Sequence, residues 1–338
     1  MSSWNEFLAQ QAAPLDTTQL AAGFVAPITD LGLIALDGEE SASFLHNQLT
    51  NDVEHLGQGE ARLAGYCSPK GRLLASFLMW RNESSIFLQL PRDIQPAIQK
   101  RLSMFVLRAK TKLRDASDAP ENQVLLGLGG GLAEAALQSW FDALPVKPFT
   151  TLDHPLGTLI RVADAFGAPR YQWLLSADTA QNVVAELADK LNVGNNDAWH
   201  LSEIHAGIPQ IAKATQEQFV PQMVNYELLG GVNFKKGCYP GQEIVARSQY
   251  LGKLKRRTTL VSIPEPTAAA GQEVFATADP EQPCGMIVNA APNGNGGVDA
   301  LVEMKLAAIE AASVRLGSAQ GVALSFLAMP YALEPLDL

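Results

Sequence analysis

The stretch N-F-K-K-G-C-Y-P-G-Q-E-I-V-A-R-S-Q-Y-L-G-K-L-K-R-R occupies residues 233–257 of the chain. It holds seven of the chain's 25 basic residues and one of its 35 acidic residues, Glu243, so the remainder carries 18 basic and 34 acidic residues. A positive segment on an acidic protein attracts anions to one place and repels them elsewhere. The stretch therefore predicts an anionic partner.

The middle of this stretch predicts a tight loop followed by a helix. Gly237 and Gly241 bracket a Cys-Tyr-Pro tripeptide, and this composition bends the chain and lets its backbone approach another group closely. From Gln242 onward the spacing of apolar residues predicts a helix that ends at Gly252. The loop thus delivers its cysteine just before a helix begins.

Cys238 is the candidate reactive group of this loop. Free N–H groups and the dipole at a helix N-terminus favour negative charge, as do Lys235 and Lys236 nearby. We therefore expect the pKa of the Cys238 thiol to lie below its usual value of about 8.5. The alternative interpretation stays open, in which cysteine only fits a crowded turn and the charges form a solvated face.

Several motifs together resemble one protein family. K-G-C-Y-P-G-Q-E at residues 236–243 resembles the signature of the YgfZ family, folate-binding proteins related to the T-protein (aminomethyltransferase) of glycine cleavage. Further matching segments, which spread the resemblance over most of the chain, are P-Q-M-V-N at 221–225, L-L-G-G-V-N-F-K at 228–235, G-E-E-S-A-S-F-L-H-N-Q-L-T-N-D at 38–52 and C-S-P-K-G-R at 67–72. The motif residues are Lys236, Gly237, Cys238, Tyr239, Gly241, Gln242 and Glu243.

The resemblance implies a bound folate, either tetrahydrofolate or a derivative. A pterin is flat with a hydrogen-bonding edge, and its tail is anionic, so its site requires a stacking ring, polar partners and cations. Trp199 matches a family position credited with folate contact. Lys236, Arg247 or Lys253 of the basic stretch are the expected partners of the tail.

The chain also departs from the family at the folate site. Leu31 stands where some members carry a tryptophan, which predicts weaker folate binding. The stretch that often reads R-I-E-A-G-x-P is E-I-H-A-G-I-P at residues 203–209 here, so a cation and a carboxylate are replaced. His205 could still bond the pterin, with a charge that depends on pH.

Catalysis of the T-protein type is not expected. The aminomethyl-transferring relatives carry an Asp pair where this chain has Ala75 and Ser76. An acid–base group typically contributes about 10²-fold or more to a rate. We therefore expect no aminomethyltransferase activity.

The resemblance implies an accessory role, with two alternatives. The preferred function is a folate-binding protein that supports maturation or repair of iron–sulfur proteins, including enzymes that modify tRNA by methylthiolation, with Cys238 as the essential thiol. The first alternative is a folate-dependent one-carbon transferase with an unknown acceptor and Cys238 as nucleophile or base. The second takes the basic stretch with Tyr239 and Tyr250 as a direct tRNA surface, which a pI near 5.0 permits as a local patch.

Bulk properties predict a cytoplasmic protein without a membrane span. The longest apolar run, residues 73–80, is far shorter than the about 20 residues that cross a bilayer. The N-terminus lacks the basic start and apolar stretch of a signal peptide. The three cysteines (67, 238 and 284) and five scattered histidines lack metal-ligand spacing, which predicts no metal site.

The order of elements predicts an α+β fold in which sheets carry helices on one face, followed by an all-β domain. The resemblance implies the T-protein plan: two ferredoxin-like halves around a central opening for folate, with a small C-terminal β-barrel. The predicted domains are residues 1–120, 121–256 and 257–338. Helices are predicted at 41–51, 94–105, 132–144 and 179–191. Strands are predicted at 34–36, 63–66, 73–80, 86–90, 124–128, 158–163 and 172–176, and then at 258–263, 273–276, 286–289, 300–304 and 323–326.

Overall fold

The computed structural model describes residues 10–251 and 254–333, and its strands form three sheets. The strands are β1 (Phe24–Pro27), β2 (Leu31–Asp37), β3 (Ala61–Cys67), β4 (Leu73–Arg81), β5 (Ser85–Pro91), β6 (Lys112–Asp115), β7 (Val124–Gly129), β8 (Thr150–His154), β9 (Gly157–Ala165), β10 (Ala168–Leu175), β11 (Asn192–Val193), β12 (Arg256–Ile263), β13 (Glu273–Ala276), β14 (Gly285–Pro292), β15 (Val298–Lys305), β16 (Val314–Leu316) and β17 (Ser325–Leu327). The helices are α1 (Thr17–Ala22), α2 (Ser41–His46), α3 (Gln95–Ser103), α4 (Ala133–Leu137), α5 (Ala177–Lys190), α6 (Asn196–His205), α7 (Gln242–Tyr250) and α8 (Leu306–Ala311). None of these helices is long and apolar enough to cross a bilayer.

The first sheet has the antiparallel order β3-β4-β5-β2-β6. Its inner strand β4, between β3 and β5, reads L-L-A-S-F-L-M-W-R and is buried almost throughout. Ala75, Phe77 and Met79 pack in the cluster that includes α2 and α3, whereas Leu73 and Trp80 face the central core. A strand buried on both faces reads as a continuous apolar run, which is why the sequence pattern located it.

The second sheet has the order β11-β1-β7-β10-β9-β8, antiparallel except for the β1–β11 pair. Helix α5 covers its outer face with Ala180, Val183 and Leu187, spaced as on one side of a helix. Ser176 caps this helix by accepting a hydrogen bond from Thr179 N. Strand β1, although early in the chain, pairs with β7 and so completes the second sheet. The predicted boundaries near residues 120 and 257 stay predictions.

A central core lies between the inner faces of the two sheets. Gln89 of β5 donates a hydrogen bond to Gln172 of β10 at 2.8 Å, which joins the sheets directly. Helix α6, which the sequence analysis did not predict, contributes Trp199, Leu201 and Ile204 to the same core. The helix is buried on most sides, so it lacks the apolar stripe by which surface helices are recognised.

The third sheet has the order β16-β13-β14-β15-β12-β17 and curls around its own apolar cluster. Its two edges approach each other because Leu324 N donates to Val314 O at 3.0 Å and Leu316 N donates to Val322 O at 2.9 Å. The C-terminal part is thus a curled, half-barrel sheet. Helices and sheets are mixed as predicted, whereas the ferredoxin-like description of the two halves stays a prediction.

Three predicted helices are shorter in the structure. The helix expected at 41–51 ends at His46, because Leu49 instead pairs with Tyr66 in an isolated β-bridge. The helix expected at 94–105 spans Gln95–Ser103. The helix expected at 132–144 ends at Leu137, after which the chain turns and brings Phe141 against Trp173 at 5.0 Å between ring centroids. Tertiary packing overrides helix propensity at these ends.

Candidate functional site

Two adjoining cavities lie where the first sheet, the second sheet and α6 meet. The inner cavity is about 40 Å³, and the outer one is about 560 Å³, within the usual range of small-molecule sites. Both are lined by Leu31, Pro91, Glu203, Ile208 and Gln210. Polar groups along the inner cavity come from Ser76, Gln89, Gln172 and Tyr226, and those of the outer one from Asp30, Arg92, Asp93, His200 and Asn289.

Glu203 is a buried carboxylate held by a buried cation. Its Oε1 accepts a hydrogen bond of 2.7 Å from Nη1 of Arg170, which also donates to Ser202 Oγ at 2.8 Å. The Arg170 guanidinium is fully buried and lies 4.9 Å from the ring of Trp199. Burial lowers the pKa of Arg170, and the Glu203 carboxylate opposes that effect. The cavity wall therefore presents a fixed acceptor backed by a fixed cation.

Asp30 and His200 form a second charged pair at the outer cavity, 2.7 Å apart between Oδ2 and Nε2. Burial acts to raise the pKa of Asp30, but hydrogen bonds from His200 and Asn196 outweigh it, so that pKa is lowered. Burial likewise opposes protonation of His200, but its bond to Asp30 raises the pKa. The outer cavity therefore carries a carboxylate beside an imidazole whose protonated form that carboxylate favours.

Among the residues predicted for the folate site, Leu31 lines both cavities. Trp199 is fully buried, and a Cβ on Gly127 would lie 2.2 Å from its ring. The indole therefore packs against Gly127 and lines neither cavity. Its N–H and Nη2 of Arg170 are buried without a hydrogen-bond partner among the described residues.

His205 and Arg247 also lie away from the cavity lining. His205 Nε2 bonds Asp299 Oδ2 of the third sheet at 2.7 Å, and its ring lies 4.7 Å from that of Phe166. Arg247 is exposed on α7. The folate roles of Trp199, His205 and Arg247 stay predictions.

The positions of the T-protein Asp pair lie on β4. Ala75 is fully buried in the cluster on the helix side of the first sheet. Ser76 lines the inner cavity, and its Oγ accepts a hydrogen bond of 2.9 Å from Ile211 N. The cavity therefore has a hydroxyl there, and Glu203 is the carboxylate among its described lining residues.

The ammonium group of the motif lysine, Lys236, is hydrogen-bonded to backbone carbonyl groups of the protein. Lys236 Nζ donates to Leu49 O at 2.9 Å and to His46 O, and it lies 4.8 Å from the ring of Tyr239. Burial lowers the pKa of Lys236 to about 8, although Asp52 nearby favours its charged form. Lys236 therefore fixes the motif loop to the end of α2.

The motif glycine Gly241 is required by close packing. It precedes α7 with φ of 78°, and a Cβ there would lie 2.4 Å from Ser68 O. The loop thereby seats on the C-S-P-K-G-R turn, against Gly71. Tyr239 is buried beneath the loop, and Gln242 Nε2 donates to Gly237 O at 3.4 Å. Glu243 is exposed on the first turn of α7, as the predicted helix start requires.

Cys238 is exposed, whereas Cys67 and Cys284 are buried. It lies three positions before Gly241, so it is near the start of α7 but not at its first turn. Its predicted low thiol pKa stays a prediction. Among the described residues, no group of three or more His, Cys, Asp or Glu side chains is placed to hold a metal ion.

An imidazole and a carboxylate lie beside the cysteine loop. His46 Nδ1 is 3.1 Å from Asp52 Oδ1, and a Cβ on Gly237 would lie 3.6 Å from His46 Nε2. Burial opposes ionisation of Asp52, but hydrogen bonds and the charge of His55 lower its pKa. Both residues fall in the family-like segment at 38–52, but their spacing alone did not single them out.

The basic stretch is less positive on the surface than its sequence predicts. Arg256 bonds Glu303 at 2.9 Å through Nη2, and Arg257 is buried against Glu227. Lys253 and the predicted helix end at Gly252 lie outside the described residues. The cations exposed in the described part are Lys235, Arg247 and Lys255.

No sequence model of a known protein family matches the chain. Curated relatives match over most of its length. The tRNA-modifying protein YgfZ of an Enterobacter species is 32% identical over 250 residues, which cover 72% of this chain and 74% of the relative. The tRNA-modifying protein YgfZ of Pectobacterium atrosepticum is 33% identical over 247 residues, which cover 72% and 71%. The chain belongs to the YgfZ family.

The fold of this YgfZ family member is that of the T-protein. The crystal structure of glycine cleavage system aminomethyltransferase T from Bartonella henselae superposes with a TM-score of 0.72, covering 93% of this chain and 87% of that one. The sequence identity is 18%, so the likeness establishes the fold alone. The YgfZ motif loop and the central cavities are thus two separate features of one T-protein-like frame.

Proposed function

We propose that this YgfZ family member is a folate-binding accessory protein that supports tRNA modification. The observation that carries the proposal is the central cavity, where Glu203 presents a carboxylate fixed by Arg170 in a T-protein-like frame. The names of the curated relatives connect the family with tRNA modification. The protein is proposed to act in the cytoplasm.

The cavity chemistry fits a reduced pterin. Amino and ring N–H groups on one edge of a pterin are donors, and a carboxylate fixed at the wall accepts such bonds in charge-assisted form. Leu31 supplies apolar contact at the same wall, and His200 supplies an imidazole for the anionic tail, with its protonated form favoured by Asp30. Trp199 acts from beneath, because its ring supports the Arg170 guanidinium. Bound folate would carry the one-carbon unit.

Folate binding is tested by titrating 5-formyltetrahydrofolate into the wild type, Glu203→Gln and Glu265→Gln, with tryptophan fluorescence as the readout. A hydrogen bond to a charged group contributes about 1.5–3 kcal/mol, so Glu203→Gln should weaken binding about 10-fold or more. Glu265 lines neither cavity, so its variant should bind like the wild type. Equal affinity of all three proteins would remove the cavity from the proposal.

The remaining predicted folate contacts are tested in the same titration. Trp199→Ala should weaken binding because Arg170 loses the ring that supports it. His205→Ala and Arg247→Ala should have smaller effects, since these side chains lie away from the cavity lining. A larger loss for Arg247→Ala than for Glu203→Gln would place the folate tail on α7 instead.

Cys238 is proposed as the thiol that supports maturation or repair of iron–sulfur proteins, including enzymes that methylthiolate tRNA. Its exposure allows contact with a partner, whereas the other two cysteines are buried. In a deletion strain, Cys238→Ala and Cys238→Ser should both fail to restore an iron–sulfur enzyme and tRNA methylthiolation. Rescue by the serine variant would show that the loop needs a small polar group and not a thiol.

The second candidate function is a folate-dependent one-carbon transferase with an unknown acceptor. The observation that favours it is the His46–Asp52 pair beside the Cys238 loop, because a fixed imidazole can take a thiol proton. Aminomethyl transfer itself is not proposed, since Ala75 and Ser76 replace the Asp pair. Consumption of 5,10-methylenetetrahydrofolate by the wild type but not by His46→Gln would support the transferase, and tight binding without consumption would refute it.

A further inference from the structure

A second basic segment lies outside the family motif. Residues 100–114, K-R-L-S-M-F-V-L-R-A-K-T-K-L-R, contain six basic residues and no acidic one. With residues 233–257, they hold 13 of the chain's 25 basic residues and one of its 35 acidic residues. The rest of the chain is strongly acidic, so positive charge is concentrated in two segments.

The second basic segment also exposes large apolar side chains. Met104 is 60% exposed, Phe105 47% and Leu107 90%, and Leu107 sits at φ of 36°, a conformation that leucine rarely adopts. Lys100 and Arg108 are exposed beside them. Exposed apolar groups in one turn add nothing to the core, and such patches mark interaction sites.

The two basic segments meet at one β-bridge. Leu49 and Tyr66 pair there. Lys236 donates to Leu49 O, and Leu49 and Tyr66 pack in the same apolar cluster as Leu102 of α3. The tip of α3 and the exposed Cys238 loop therefore belong to the same side of the first sheet.

We propose that this face binds RNA through unpaired bases, with Phe105 and Tyr250 as stacking rings and Lys100, Arg108 and Arg247 as phosphate contacts. Cations that follow a backbone together with exposed rings are the features by which proteins hold single-stranded nucleic acid. The remainder of the chain holds 12 basic and 34 acidic residues, so its net negative charge disfavours contact with a polyanion. The proposal rests on the proposed role in tRNA modification, and it would place Cys238 next to the bound RNA.

The test uses fluorescence anisotropy of the full-length protein with a labelled RNA stem–loop and with the same stem as a blunt duplex. The stem–loop should bind more tightly, and its affinity should fall as salt rises. For single strands, each phosphate contact contributes about 0.7 to the slope of log K against log salt, so Lys100→Ala and Arg108→Ala should each reduce the slope by about that amount. Phe105→Ala should weaken binding about fivefold through lost stacking.

Matched controls come from an exposed segment of the second half. Lys147→Ala removes an exposed cation, and Val146→Ala shortens a side chain that is 83% exposed. Both should bind the stem–loop like the wild type. Equal affinity for stem–loop and duplex, no salt dependence, or equal losses in the control variants would overturn the proposal.

Two further readouts separate this proposal from the function it deepens. Folate titration of the same preparations reports on the cavity, so absent RNA binding with intact folate binding refutes the RNA surface alone. If the Phe105→Ala and Lys100→Ala proteins fail to restore tRNA methylthiolation while the wild type binds no RNA, the face binds an acidic protein, and the RNA proposal is wrong.

Discussion

The buried pair of Arg170 and Glu203 allows a quantitative test of what holds the cavity wall. We consider Arg170→Met, Glu203→Met and the double variant, because methionine approximates the length of both side chains. Breaking a buried ion pair by removing one partner costs about 3–5 kcal/mol, whereas replacing both partners with apolar groups is often neutral. Each single variant should therefore be less stable than the double variant.

The structure also indicates which single variant loses more free energy of unfolding. Arg170 is fully buried and donates to Glu203, Ser202 and Ala163, so without Glu203 its charge has no access to water. Glu203 lines the cavities, so without Arg170 its carboxylate can be hydrated or protonated. We expect Glu203→Met near the upper end of the range of about 3–5 kcal/mol and Arg170→Met near the lower end.

The assay is urea unfolding at neutral pH, followed by tryptophan fluorescence and by circular dichroism. The control cycle uses Lys190 and Glu186, an exposed pair 2.6 Å apart, for which no resolvable coupling is expected. A double variant as unstable as the sum of its singles would refute the reasoning, because the two charges would then act independently. A coupling energy between Arg170 and Glu203 equal to that of the exposed pair would also refute the reasoning.

Three further predictions follow from exposure and charge. Ellman's reagent should label one thiol rapidly in the native protein and all three in urea, because Cys238 is exposed while burial raises the pKa of Cys67 to about 12; rapid labelling of a second thiol would contradict this. Burial opposes ionisation of Asp299, but the hydrogen bond from His205 lowers the pKa of Asp299 below 3.8. The ionised carboxylate therefore stabilises the fold above this pH, and the stabilisation is lost as the pH falls. His205→Ala should unfold in acid at a higher pH than the wild type, and an unchanged midpoint would contradict this. Lys236 has a pKa of about 8 in the folded protein against 10.5 in the unfolded chain, so the free energy of unfolding should rise as the pH increases between these values. Lys236→Met should lose that rise. Identical pH profiles for the wild type and the variant would show that Lys236 is not desolvated.

The strands of the first sheet and of the C-terminal sheet follow closely from local patterns. Predicted strands such as 73–80 and 273–276 fall within or on β4 and β13, because alternation, apolar runs and Gly or Pro breaks are local properties of a pleated chain. Strands with weaker sequence patterns were not predicted. Edge strand β6 has no buried residue, and β1 depends on pairing with β7, which lies about a hundred residues away in sequence.

The candidate site divides in the same way. The motif loop was recognisable because Gly241 must adopt a positive φ and pack against Ser68, a demand that only glycine meets. The Arg170–Glu203 ion pair at the cavity was not recognisable from the sequence, because the two residues are 33 positions apart and neither lies in a local motif. Part of the positive charge of residues 233–257 is neutralised, because Arg256 and Arg257 face acids supplied by distant segments.

By itself the amino-acid sequence determined the order of most strands, the glycine-bounded cysteine loop and the overall separation of charge, because these depend on the backbone preferences and composition of neighbouring residues. Only the tertiary structure decided which charges are neutralised, where Lys236 points and which groups line the cavity. These depend on burial and on partners up to 190 positions away, as for Lys236 and His46. Desolvation depends on how the folded chain packs around a group, so it cannot be read from the order of the residues alone.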